Sequence, residues 1–248
     1  YKPRLQKEHG QELPESIRTP KFTFAQRGRI IGSPFDFKQW GETGHWASDL
    51  FPEVNRKWID KLCFIHSLHH DNEDHTTAMS MLNTGVPREI RPAMGSWLLY
   101  GLGSDNENLP GYLDLTPKDN RTFPSGFLPS VYSGAPIIKP DNNDKGLKWD
   151  NLTANFKRQR EHLDFIRKLN SDSNPLETEL RNRELAFRMQ SVAPGIMDLD
   201  QESEATRKRY GIGENHTDEF GRTLLLARRF AEFGVRYITA THSTSRYG

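Results

Sequence analysis

Residues 220–242 constrain the fold more than any other stretch. Leu224, Ala227 and Phe230 fall at helical spacing and read as the inward face of a helix, with Arg222, Arg228 and Arg229 outward. Gly234 stops that helix, and residues 235–241 (VRYITAT) follow as a β-branched strand ending at His242. A helix, a glycine stop and a buried strand make half of a βαβ unit. The fold class implied is α/β, a parallel sheet flanked by helices. Residues 62–68 read as a strand, and residues 109–115 (LPGYLDL) as another. The near-continuous apolar content of 62–68 and 235–241 predicts two parallel strands of one sheet, apolar on both faces.

Helical patterns account for much of the rest. Leu50, Val54 and Trp58 predict a helix over 47–59. Further helices are expected over 76–82, 93–102, 151–170, 175–193 (ending at Pro194–Gly195), 204–210 and 220–233. Residues 1–21 read as irregular surface chain, 22–31 as a possible short strand, and 32–44 as a loop pinned by aromatics. Residues 116–150 form a long loop region, within which SGFLPSVYSG (125–134) carries enough apolar side chains to be ordered and packed.

Composition excludes several function classes. The 34 basic and 33 acidic residues nearly cancel, so no global field favours nucleic acid or an anionic membrane. Hydrophobic residues make up 34% of the chain and the mean hydropathy is −0.78, polar for a self-contained domain. No apolar run approaches the roughly 18–20 residues that span a bilayer. A single cysteine, Cys63, excludes an internal disulfide framework and a Cys-rich zinc site. Its apolar setting predicts a small buried hydrophobe.

The chemistry concentrates in residues 63–85, CFIHSLHHDNEDHTTAMSMLNTG. Four of the nine histidines (His66, His69, His70 and His75) fall there, with Asp71, Glu73 and Asp74 between them. Three readings stay open. Imidazole and carboxylate ligands suit zinc, manganese or iron, although the spacing matches no self-sufficient motif such as HExxH. Alternatively Asp74 or Thr76 caps the following helix, whose first N–H groups hold a sulfate- or phosphate-like anion. The third reading is a polar loop of solvated histidines. His242 joins the candidates because open α/β sheets bind ligands at the carboxyl ends of their strands.

RPAMGSWLLYGLGS (91–104), NLPGY, SGFLPSVYSG, ELAFRMQSVAPGIMDL (184–199) and LLLARRFAEFGVRYI (224–238) resemble, in order, the signatures of one bacterial family. It is catalogued as domain of unknown function 1501 and often labelled sulfatase-like. The resemblance implies an alkaline-phosphatase-like parallel sheet, a metal-dependent hydrolase site and a periplasmic or envelope location reached by twin-arginine export. The family's preceding Asp-containing motif and its later Asp/His motif are absent here. The expectation is therefore a single incomplete domain over residues 1–248, cut at both ends.

The wider superfamily sharpens one position. Its nucleophile begins a helix ten residues before the glycine of a Thr-Gly pair. Thr84–Gly85 is such a pair, and counting back lands on His75, where no Ser, Thr or Cys stands. Thr76 and Thr77 are the nearest hydroxyls and candidate anion-binding residues. The expected site is then His75 as the catalytic residue, with His69, Asp71, Asp74 and His242 around a divalent metal (zinc, manganese or calcium). His75 and His242 are expected in one pocket. The expected activity is metal-dependent hydrolysis of a sulfate or phosphate ester, small-molecule or glycan. The alternative is a non-catalytic envelope binding protein that kept the fold without the nucleophile.

Overall fold

The computed structural model describes residues 1–14, 28–69, 74–88, 90–115, 124–137, 156–169 and 177–242. Most of the expected strand over 22–31, residues 116–123 and 138–150 of the long loop, the flanks 151–155 and 170–176 of two expected helices, and His70, Asp71 and Glu73 lie outside them. The chain divides into two units, Tyr1–His70 and Asp71–Gly248.

In the first unit, Pro3–Lys7 forms helix α1, with proline at its start, inside the segment expected to be irregular. Strand β1 (Phe37–Trp40), within the expected loop over 32–44, pairs antiparallel with β2 (His45–Ser48). The connecting turn uses Gly41 and Gly44 at φ 67° and 65°. Asp60 locks it by accepting from the Thr43 hydroxyl (2.6 Å), the Thr43 N–H (3.0 Å) and the Glu42 N–H (3.1 Å). These bonds, the Thr43 hydroxyl first, hold the Asp60 carboxyl below its ordinary range.

Helix α2 spans only Pro52–Trp58, because β2 claims the start of the expected 47–59 helix. Its orientation also differs from expectation. Asn55 and Ile59 are buried, whereas Leu50, Val54 and Trp58 are exposed. Asn55 is retained inside by donating to the Ser48 carbonyl at 2.7 Å.

The expected strand over 62–68 does not form. These residues pair with no neighbour among the described residues, turn at His66–Ser67, and are all exposed, Leu68 to 79%. An apolar run becomes a strand only where a second strand satisfies its N–H and C=O groups. Cys63 is exposed with them, not buried.

The second unit carries a parallel sheet. Helix α3 (His75–Thr84) is followed by α4 (Met94–Leu102), which Gly103 closes, and by β3 (Tyr112–Asp114). The SGFLPSVYSG stretch is ordered, as expected, and its end leads into a short strand the pattern did not reveal, β4 (Ala135–Pro136). Helices α5 (Phe156–Leu169), α6 (Glu177–Met197), α7 (Glu204–Arg209) and α8 (Asp218–Glu232) precede β5 (Tyr237–Thr239). The sheet order is β4-β3-β5, all parallel, with Leu113 opposite Ala135 on one side and Ile238 on the other. The parallel sheet predicted from 235–241 therefore exists, with the strand shortened to Tyr237–Thr239 and paired with β3 rather than with 62–68.

Alternation along β3 sets the two faces. Leu113 joins the large core with Ile196, Leu225, Leu226, Phe230 and Val235, contributed by α6, α8 and the lead into β5. Tyr112 points to the other face and packs with Ala93, Leu99 and Tyr237 under α4. Gly95 allows this approach, because a Cβ there would strike the Tyr112 and Tyr237 rings.

Two helix expectations are corrected. Helix α6 continues through Pro194 to Met197 instead of stopping there. Arg229, expected outward, is 8% exposed. It donates from Nε to the Ile196 carbonyl (2.6 Å) and from Nη2 to the Gly195 carbonyl (2.8 Å). These carbonyls, left open at a helix end, gain a charged cap, which lets the chain finish its last turn beyond the proline. Leu224, expected inward, is instead exposed, and the buried stripe of α8 runs through Leu225, Leu226, Arg229 and Phe230. No helix of the described residues is long and apolar enough to cross a membrane.

Candidate functional site

Helix α3 begins as the sequence indicates. Asp74 is its N-cap, in extended backbone (φ −75°, ψ 130°), and Oδ2 accepts from the Thr77 N–H at 2.9 Å. The Thr77 hydroxyl turns back to the Asp74 carbonyl at 3.1 Å. Gly85, in the left-handed region, closes the other end. The Asp74 carboxylate thus occupies one of the free N–H groups proposed for an anion, and sets its own negative charge at that helix end.

His75 and Thr76 are the first two residues of α3; their side chains lie outside the described residues, as does Asp71. His69 is exposed in the first unit. In that unit the rings of His45, Phe64 and His66 form a row, with centroid distances of 4.8 and 6.2 Å. His242 is exposed three positions past β5, and its ring meets Phe220 edge-on at 5.0 Å. The argument that joined His75 to His242 needed a strand at 62–68, and that premise falls. Among the described residues, no group of three His, Cys, Asp or Glu side chains converges as a metal site requires.

One carboxylate stands out that the sequence reading passed over. Asp114 ends the central strand β3 and is 0% exposed. Its backbone is held on both sides. Ile137 donates to its carbonyl (2.9 Å), and the next residue, Leu115, donates to the Thr239 carbonyl (2.8 Å). In the register, Asp114 faces Pro136 on β4 and Thr239 on β5, while Tyr112 faces Tyr237. Tyr112, Asp114, Tyr237 and Thr239 therefore lie on one face of the sheet, with α4 over it.

That layer is polar, with Tyr112 and Asp114 buried and Tyr237 and Thr239 half-buried. The Tyr112 and Tyr237 rings meet at 5.0 Å and 72°. Burial pushes the Tyr112 phenol above its ordinary range; the nearby Thr239 hydroxyl opposes the rise, and Asp114 and Tyr237 add to it. Thr239 Oγ1 is buried without a well-formed hydrogen bond among the described residues. Ser96, also 0% exposed, donates to the Pro124 carbonyl at 3.0 Å. The sequence held one signal for Asp114: an acid inside the otherwise apolar run LPGYLDL. A solvent-facing strand position explains such an acid equally well, and alternation alone does not separate the two.

A cavity of about 50 Å³ opens between α5 and α6, lined by Arg160, Leu163, Arg167, Glu184, Phe187 and Arg188. It contains none of the expected site residues. Arg160 and Arg167 reach Asp164 at 3.5 and 3.7 Å, and Arg167 also pairs with Glu184, so it is a charged seam between two helices.

The model of one protein family, described as protein of unknown function (DUF1501), matches residues 1–244 of the chain. No curated protein and no solved structure matches it.

Proposed function

The chain belongs to the DUF1501 family of proteins of unknown function, and we propose that it is a metal-dependent hydrolase of sulfate or phosphate esters, small-molecule or glycan, in the periplasm or cell envelope. One observation carries the reading. A fully buried carboxylate, Asp114, ends the central strand of an all-parallel sheet. The carboxyl ends of such strands are where α/β proteins seat ligands. An acid at that edge favours a cation there and repels a bare ester anion.

The implied zinc, manganese or calcium has no complete ligand set among the described residues. No step is therefore assigned to it. The chain's own contributions are narrower. The first turn of α3 offers N–H groups to an anion, less the one Asp74 takes. The layer under α4 excludes water from Asp114. The location rests on the resemblance to exported proteins described above.

The full-length protein tests the reading. Metal content and turnover of aryl sulfate and aryl phosphate are measured for wild type and Asp114→Asn, with circular dichroism as a control on folding. Stoichiometric metal and turnover, both reduced in the variant while the fold holds, support it. Wild-type turnover in Asp114→Asn would remove the carboxylate from the site.

A second reading, a non-catalytic envelope binding protein, is favoured by His75. It opens α3, and the resemblance drawn from the sequence gives that position to a hydroxyl or formylglycine nucleophile. Anion binding by a full-length protein that holds no metal and turns over neither ester is the outcome this reading requires.

A further inference from the structure

We draw no further inference here: the strongest candidate, the exposed aromatic face that Met94, Trp97 and Tyr100 of α4 form with Phe127, carries nothing because nothing in the structure shows what covers it.

Discussion

Arg228 and Arg229 converge on one oxygen, Glu202 Oε1, at 2.6 and 2.8 Å. Arg229 also holds the Ile196 and Gly195 carbonyls, so a single guanidinium ties the end of α6 to α8 and to the turn before α7. The Arg229 and Glu202 side chains are only 10% and 14% exposed, so solvent screens the pair little.

Arg229→Ala is expected to destabilise the protein by about 3 kcal/mol, the scale for removing one partner of a buried pair. Arg229→Lys should recover only part, since one ammonium does not reproduce the planar fork. Urea melts read this directly. A midpoint unchanged in Arg229→Ala would show that the α6 end needs no charged cap.

The same cluster gives a pH dependence. Hydrogen bonds from Arg228, then Arg229, hold the Glu202 carboxyl below its ordinary value. A depressed folded-state pKa adds stability above the unfolded value, about 4.3 for Glu, and this is lost as pH falls through the folded value. Wild type should therefore exceed Glu202→Gln in melting temperature at pH 7. The gap should narrow below about pH 4. A gap that widens on acidification contradicts the sign.

Gly95→Ala sets two effects against each other. Alanine is better than glycine by about 1 kcal/mol in a helix interior, and at Gly95, the second residue of α4, the gain is smaller. At this position its methyl meets the Tyr112 and Tyr237 rings, and overpacking of a tight core costs about 1–3 kcal/mol. The clash should win, giving a lower melting temperature. A rise would mean that α4 moves off the sheet without penalty.

At α3, Asp74→Ala removes the cap and should cost about 1 kcal/mol. Asp74→Asn keeps an acceptor for the Thr77 N–H while removing the charge. If this helix end receives an anion, Asp74→Asn should bind sulfate more tightly than wild type, read by titration calorimetry. Equal or weaker binding separates the cap from any anion site.

Local chemistry was legible where it closed on itself. The α3 boundaries follow from Asp74 and Gly85, α4 stops at Gly103, and helix-Gly234-strand is visible as a unit. What the sequence hid depends on partners far along the chain. Residues 62–68 look like a strand by composition, yet pairing decides strands, and no strand of the described residues pairs with them. Arg229 reads as a solvated helix position until the Gly195 and Ile196 carbonyls, more than 30 positions back, claim it. Asp114 sits in a run whose two faces are indistinguishable without knowing that helices cover both. Asp71 and the His75 side chain, central to the expected site, lie outside the described residues.

The pairing of β3 with β5 has a consequence for biosynthesis. Asp114 meets Thr239, 125 positions later (239 − 114). A ribosome adds roughly 5–20 residues per second, so about 6–25 s separate the emergence of the two strands. During that interval the β5-side edge of β3 lacks its native neighbour and is open to another nascent chain. Slow decoding between the two strands should lengthen that exposure and lower the soluble yield, a property of the gene's codon choice rather than of the finished protein.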